Sequence, residues 1–492
     1  MAHFDYDLGI IGGGAAGLTA AAGAAQFGAK TIIIEKSGLL GGDCLHFGCV
    51  PSKTLLRTAS VWQLARRSGE FGLPGLTLPQ VNLGSVMDRV AEVIDTIQHH
   101  DSQERFCSLG ALVRFGNPVF ADDHVVELDG ERISARSWII ATGSSPALPP
   151  VGGLSNTPFW TNETVFSQRK LPESLIVLGG GPIGCEMAQA FKRLGSKVTI
   201  IEFLDQILGP EDPDVADILR ERLIGEGVEI HTNTKAITVE SRDALILLTI
   251  GPTQGEGTTQ IIKGDALLVA AGRKPNVDGL ALESAGVLYT GKGIPVNDRM
   301  KTNIPHIYAC GDVNGVMPFT HVAGYEGGIA LANAVLRIPR KADYTKVGWC
   351  TYTDPEIASI GLNEKRAQKE GTAYSVIEER FDQNDRAVAA REPGGKIKLL
   401  LNTKGSPIGC QIIGAHAGEL IHEWIIAMNG KVKLSTMAGT VHLYPTLSEV
   451  SKRSAGDFFA SRLFSDKTRS ILRLLFNLKG RACSVNEERL SK

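Results

Sequence analysis

The sequence predicts an α/β fold built on two Rossmann-like nucleotide-binding units, and three observations carry the prediction. A glycine-rich turn of the form G-x-G-x-x-G occurs twice, each time entered from an apolar strand and left through a helix. Each copy is followed, at one spacing, by a second apolar strand that ends on glutamate. The chain has 492 residues, too many for a single core, so two to four domains are expected.

In the first copy, DYDLGII (5–11) reads as a buried strand, and Gly12, Gly14 and Gly17 open an Ala-rich helix. The strand from Thr31 to Ile34 then leads to Glu35. In the second copy, SLIVL precedes Gly179, Gly181 and Gly184, and the next strand ends on Glu202. Gly12 to Glu35 and Gly179 to Glu202 are both separations of 23 residues. One such motif is weak, but two in the same context at the same spacing are not two incidental turns. The glycines permit a tight turn, close approach of a pyrophosphate and close helix packing. The helix amino terminus offers free N–H groups to phosphate, and the acid accepts from ribose hydroxyls. Each copy has a later strand-plus-turn, ending on Ala141-Thr142-Gly143 and on Ala271-Gly272-Arg273. Two dinucleotide sites imply two dinucleotides, and the economical pair is FAD with NAD(H), NADP(H) being the less favoured alternative.

Composition narrows the class. Hydrophobic residues make up 43% and charged residues 21%, as in a soluble globular protein. The net charge of -2 gives no basic excess for nucleic acid. Eight cysteines do not make a disulfide scaffold. The start, MAHFDYDLGIIGGG, has no basic segment followed by an apolar one, and there is no run of 18 apolar residues. A cytoplasmic location is therefore expected, where a disulfide is more often catalytic than structural.

Between the first fingerprint and its later strands lies GGDCLHFGCVPSK, with Cys44, Cys49 and Lys53. The plain alternatives are two buried thiols or a metal site. A metal site wants C-x-x-C-type spacing and a second ligand pair, and neither is present, so no metal is assigned. In a regular helix, Cα atoms five apart are about 8.7 Å from each other. A disulfide needs them within about 7 Å. If these thiols bridge, the helix must start irregularly, and Gly48 would permit that.

This stretch resembles the active site of the class I pyridine nucleotide-disulfide oxidoreductases, a family that includes lipoamide dehydrogenase, glutathione reductase and mercuric reductase. The resemblance runs in chain order over roughly residues 5–460. It implies that Cys49 is the thiol beside the flavin and that Cys44 is the interchange thiol that meets the acceptor. It implies a flavin-side role for Lys53, with Glu186 in GCEMAQ as its ion-pair partner. In IPHIYACGDV, Gly311 and Asp312 resemble the second FAD motif, with Asp312 toward the ribityl chain, and FTHVAGYEG follows as a flavin-side helix.

The same resemblance assigns the C-terminal part to an α+β dimerisation domain beginning near CTYTDPEIASIG, and so implies a homodimer. In VHLYPTLSEV the family carries His-Pro and then Glu, and that His acts across the dimer as acid and base toward the interchange thiol. Glu449 matches the acid, but the His position is Tyr444. A Tyr, with a pKa near 10, is a poor base at neutral pH. His442, two residues earlier, is expected to be a packed or surface histidine. Mercuric reductase also carries Tyr near its site, but usually with a vicinal cysteine pair at its C-terminus, where this chain has only Cys483.

The expected organisation is 1–148 for FAD, 149–275 for the nicotinamide nucleotide, 276–345 completing the FAD and central part, 346–460 for dimerisation, and a tail, 461–492. From Arg462 to Arg481 the tail has six basic residues against one acidic. Its apolar residues include Leu463, Phe464, Ile471, Leu472, Leu474, Leu475, Phe476 and Leu478. A basic amphipathic helix of this kind suits a membrane surface through residues 462–481, or a helix packed on its own dimer. The function expected is transfer of electrons from NADH through FAD to Cys44–Cys49 and on to a small-molecule acceptor: a disulfide, a soft-metal ion or similar. The alternative is a membrane-surface component that reduces a quinone.

Overall fold

The computed structural model describes residues 3–243, 245–255 and 257–480. They fall in two units, Met1–Asp354 and Pro355–Lys492.

The first unit holds two parallel sheets of the same design. One has the order Ile307–Ala309, Trp138–Ile140, Leu8–Ile11, Thr31–Glu35, Ala111–Phe115. Its central residues Leu8, Ile10, Ile32, Ile33 and Ile34 are fully buried. Unbroken apolar runs of this kind are what a parallel sheet covered on both faces requires. Gly9 is there for room, since a Cβ on it would sit 2.2 Å from the ring of Trp138 on the neighbouring strand. The other sheet has the order Val228–His231, Lys197–Ile201, Ser174–Leu178, Ala266–Val269, again all parallel. Each sheet is accompanied by a three-stranded antiparallel layer, made of Val119–Phe120, Val125–Leu128 and Glu131–Ser134 in one case. In the other it is made of Thr234–Arg242, Leu245–Pro252 and Gln260–Gly264.

Both glycine turns lie at the carboxyl end of a central strand, where ligands of open α/β sheets bind. Each turn feeds a helix, Ala15–Gln26 or Pro182–Leu194. The first of these packs against Thr320–Ala334 so closely that a Cβ on Gly327 would meet the Ala16 carbonyl oxygen at 2.4 Å. Helices with small residues at the crossing bring the loops at their ends close together.

The second unit is built on an antiparallel sheet in which Glu356–Gly361 pairs with Pro407–Gly414, which pairs with Lys396–Leu401, which pairs with Ser375–Arg380. Ile357, Ile397, Leu399, Ile412 and Trp424 are buried in this unit, Trp424 coming from the helix Ala417–Asn429. The helix Glu449–Leu463 is followed by a short one, Asp466–Phe476, which is capped by the Ser465 hydroxyl accepting from the Thr468 N–H. It ends at Asn477 in the left-handed conformation, and none of its residues is buried. Arg481 and Cys483 lie outside the described residues. Among the described residues no helix is long and apolar enough to cross a membrane.

Candidate active site

The two glycine turns are stereochemical copies. Gly12 and Gly179 have φ of +111° and +109°, a conformation that disfavours any side chain. A Cβ there would meet a carbonyl oxygen of the sheet, Ala141 at 2.2 Å and Ala270 at 2.4 Å. A Cβ on Gly17 or Gly184 would lie 1.9 Å from the carbonyl oxygen of Gly12 or Gly179. The glutamates are copies too. Glu35 accepts from the N–H of Gly13 at 2.6 Å and of Ser37 at 2.8 Å. Glu202 accepts from the N–H of Gly180 at 2.5 Å and of Leu204 at 2.7 Å. Each carboxylate therefore ties its strand end to its own glycine turn, a task in addition to the ribose contact expected of it, and each oxygen keeps lone-pair capacity for a hydroxyl.

These turns fit a dinucleotide. Neither following helix has a side-chain cap or an acidic residue in its first turn, so the partial positive charge of the helix end is left for an anion. A Cβ on Gly181 or Gly143 would meet nothing within 4 Å, which is open space beside the chain. Asp312 follows Gly311, whose N–H donates to the Glu326 carboxylate at 2.6 Å. The Ser144 hydroxyl donates to Asp312 at 2.5 Å, and burial raises the Asp312 carboxyl above its usual range. Thr142 donates to the Asn276 carbonyl at 2.7 Å and fixes the turn before Gly143.

The cysteines lie across a break between two helices. Cys44 belongs to Gly42–His46 and Cys49 is the first residue of Cys49–Arg66, with Phe47 and Gly48 between. The expected irregular helix start is thus two separate helices. A Cβ on Gly48 would sit 3.0 Å from the Asp43 carbonyl oxygen and 3.2 Å from the Cys44 Cα, so a side chain there would be tightly crowded and glycine eases the fold-back. Both cysteines are thiols here.

Their electrostatics differ sharply. A hydrogen bond from Cys44 holds the Cys49 thiol down to about 6, with further help from the Thr320 hydroxyl and the Lys53 ammonium and against burial and Glu186. The same hydrogen bond, with burial and the neighbouring thiolate, pushes Cys44 well above its usual range. With one proton on the pair, these surroundings favour the negative charge on Cys49 and the proton on Cys44. Elsewhere, burial pushes Cys185, Cys310 and Cys410 up, as expected of structural thiols.

Lys53 lies one helical turn beyond Cys49 and donates to both oxygens of buried Glu186, at 3.0 and 2.8 Å. Glu186 is itself positioned by the Tyr352 N–H at 2.9 Å, and the Lys53 ammonium stands 4.4 Å from the Tyr352 ring centre. The structure therefore brings together Cys44, Cys49, Lys53 and Glu186. Sequence reasoning missed Thr320, whose hydroxyl is 3.4 Å from the Cys49 sulfur. It also gave no role to Arg273, although it quoted the turn at Gly272. Arg273 donates to the Ser144 hydroxyl at 2.7 Å and pairs with Asp43 at 3.1 Å, linking the Asp312 region to the cysteine-bearing helix. The resemblance places Thr320 in the flavin-side stretch FTHVAGYEG, but nothing in that stretch signals its contact with Cys49, 271 residues away.

In the second unit, Tyr444 is exposed and its hydroxyl donates to Asp385 at 2.9 Å, which raises its pKa. His442 is packed, with Nε2 at 2.8 Å from a Glu423 oxygen and Nδ1 at 3.2 Å from the Thr440 carbonyl oxygen. Glu449 starts the helix Glu449–Leu463, where its charge meets the positive helix end.

Residues 6–327 match the family model described as pyridine nucleotide-disulphide oxidoreductase, and residues 347–455 match that of its dimerisation domain. The chain is 37% identical over 453 residues to a dihydrolipoyl dehydrogenase of Bacillus subtilis, covering 90% of this chain and 96% of that one. It is 34% identical over 459 residues to a mercuric reductase of Lysinibacillus sphaericus, covering 92% and 83%. Among solved structures, LpdA from Mycobacterium tuberculosis superposes with a TM-score of 0.83 at 27% identity, covering 92% of this chain and 99% of that one.

The thiolate at Cys49 yields a test. In the reduced protein, alkylation of Cys49 followed by peptide mass spectrometry should show a rate that rises with pH around a midpoint of about 6. Thr320→Val removes a hydrogen bond to a charged sulfur, worth about 1.5 kcal/mol, and should move the midpoint up by about one pH unit. An unmoved midpoint would remove Thr320 from the site.

Proposed function

The chain belongs to the pyridine nucleotide-disulphide oxidoreductase family, and within it we propose an NADH-dependent reductase in which Cys44 and Cys49 relay electrons to an acceptor other than lipoamide. The family is FAD-containing and NAD(P)H-using, and residues 347–455 are its dimerisation domain, which supports a homodimer. The single observation that carries the reading is the unequal thiol pair, with its thiolate on Cys49 between Thr320 and Lys53.

FAD, when bound, supplies the acceptance of hydride from the nicotinamide and the passage of the electron pair to the disulfide. Gly12, Gly14, Gly17, Glu35, Thr142, Gly143, Gly311 and Asp312 are the residues proposed to hold it. Gly179, Gly181, Gly184, Glu202 and Gly272 are those proposed for the nicotinamide nucleotide. Once the disulfide is open, Lys53 and Thr320 hold the charge on Cys49, and the Cys44 thiol keeps the proton. With a disulfide acceptor, Cys44 loses that proton, attacks one acceptor sulfur and expels the other as a thiol. Cys49 then attacks Cys44, closing the pair and releasing the second thiol. The net change is NADH, a proton and a disulfide going to NAD⁺ and two thiols.

Two features support the choice of partners. A carboxylate at Glu202 repels a 2′-phosphate, and Phe203, Leu204, Asp205 and Gln206 after it include no cation. Removal of the proton from Cys44 needs a base, and Tyr444, its pKa raised by Asp385, is a poor one at neutral pH. The mercuric reductase relatives make a soft-metal ion a reasonable acceptor, since thiolates select soft metals. Steady-state rates with NADH and NADPH against lipoamide, glutathione disulfide, mercuric ion and a quinone test this reading. We expect a higher kcat/KM for NADH, lipoamide turnover about 10²–10⁴-fold below a true lipoamide dehydrogenase, and a gain in lipoamide turnover on Tyr444→His. Brisk lipoamide turnover by the unaltered protein, or a preference for NADPH, would contradict it.

The tail supports a second reading, contact with an anionic lipid surface. Leu474, Leu475 and Phe476 are 86%, 68% and 67% exposed, while Lys467, Arg469, Arg473 and Lys479 stand near them against the acid Asp466. An apolar patch of this kind is a liability unless it meets lipid or protein, and each cation near an anionic surface adds about 1 kcal/mol. Co-sedimentation with anionic vesicles should be strong, weaken with salt and vanish on deleting residues 462–492, with flavin absorbance unchanged. If deletion instead lowers thermal stability and neither form binds vesicles, the helix packs on its own dimer.

A further inference from the structure

We propose that a second anion site, separate from both nucleotide turns, binds a pyrophosphate-bearing small molecule at the amino-terminal end of the first parallel sheet. The cavity there has a volume of about 370 Å³ and is lined by Arg136, Arg299, Lys301, His306, Tyr308 and Arg337, among others. Ser137 and His306 in its wall immediately precede the strands Trp138–Ile140 and Ile307–Ala309. The first glycine turn, Thr142–Gly143 and Gly311–Asp312 all follow the carboxyl ends of those strands or of Leu8–Ile11. The cavity is thus at the opposite end of the sheet from the residues proposed for FAD.

Its charge is one-sided. No aspartate or glutamate is among the lining residues. Among the described residues, Arg299, Lys301 and Arg337 have no ion-pair partner, and Arg136 has a loose one, Asp7 at 3.5 Å. Four permanent cations sharing one concavity repel each other, and a counter-charge relieves that repulsion. The carboxyl end of the helix Thr320–Ala334 brings Ala334 to the wall. A helix end supplies only about half a negative charge, which leaves most of the excess unmet.

The wall is also fixed in place. Lys301 pairs with Tyr308 through a backbone bridge, and its ammonium lies 5.8 Å from that ring. The His306 ring stacks on His124 at 3.8 Å and 3°, and its Nε2 donates to the Asp123 carbonyl oxygen at 3.0 Å. Arg136, Arg299, Lys301 and His306 are half-buried, His306 also 3.4 Å from the Asp123 carboxylate, while Arg337 is exposed at the rim. Guanidinium groups match phosphate oxygens two bonds at a time. One phosphate would leave half of the four cations unmet, so the charge fits two linked phosphoryl groups. Tyr308 is only 3% exposed and offers no face for stacking a base, so the recognised chemistry is the pyrophosphate itself.

The test uses the FAD-loaded enzyme with saturating NAD⁺, so that both nucleotide turns are filled. Calorimetric titration with inorganic pyrophosphate and, separately, with ADP should show one saturable site per chain for at least one of them. Tighter binding of ADP would identify a nucleotide as the source, and equal or tighter binding of pyrophosphate an inorganic one. Arg299→Ala with Arg337→Ala should weaken that binding tenfold or more, with NADH oxidation unchanged. Lys301→Gln, a milder change at a separate position, should weaken it several-fold and serves if the double variant folds poorly. Absence of saturable binding in the unaltered enzyme, or affinity unchanged in these variants, would overturn the proposal.

Discussion

A sulfur anion at neutral pH has to be held by its surroundings, and in this protein a hydrogen-bonded pair of sulfurs is the first support. The Cys49 charge rests first on the Cys44 thiol, then on the Thr320 hydroxyl and the Lys53 ammonium. The break at Gly48 places Cys49 at the start of a helix and lets Cys44, in the preceding short helix, reach it. Lys53 in turn depends on Glu186, which belongs to the helix after the second glycine turn, 133 residues away. The redox pair is therefore held by pieces of both parallel-sheet assemblies, and by a helix, Thr320–Ala334, whose closeness to the first nucleotide helix requires Gly327.

The duplicated nucleotide turns show how one stereochemical solution serves two sites. In each, a glutamate at a strand end clamps the glycine turn through two backbone N–H groups, and a carbonyl of the sheet leaves no room for a side chain on the first glycine. The turn is thus preformed, which would lower the ordering cost of binding a pyrophosphate there. What differs lies beyond the clamp. After Glu35 come Lys36 and Ser37, and after Glu202 come Phe203 and Leu204, so the two sites can favour different dinucleotides from one backbone.

Much of this was legible in the sequence because it is local. Glycine spacing, apolar runs and a terminal acid are read within about thirty residues, and the parallel sheets follow from them. The resemblance reads the cysteine stretch as a redox pair, and its geometric difficulty as one helix is visible from the five-residue spacing. Two helices meeting at Gly48 resolve that difficulty in a way spacing does not specify. Thr320, Tyr352 and the Arg273 link were not legible, since each acts across 129 residues or more. The same holds for the basic cavity, whose cations come from Arg136, Arg299, Lys301 and Arg337 in separate segments. The sequence reads His442 as a packed or surface histidine beside Tyr444, and in the structure it is packed, against Glu423 and the Thr440 carbonyl. The sequence reads the tail as one amphipathic helix including Leu463 and Phe464; in the structure Leu463 ends the preceding helix, Phe464 caps it, and Asp466–Phe476 is a separate short helix without a buried residue.

The central claim is that Cys49 carries the negative charge beside the flavin and Cys44 is the thiol that meets the acceptor. The absorption spectra of the FAD-loaded single-cysteine variants test it most directly. Cys44→Ser leaves Cys49 unable to form the disulfide, so a long-wavelength charge-transfer band should be present without any reductant, and Cys49→Ser should show none. A band in Cys49→Ser, or its absence in Cys44→Ser at neutral pH, would contradict the account.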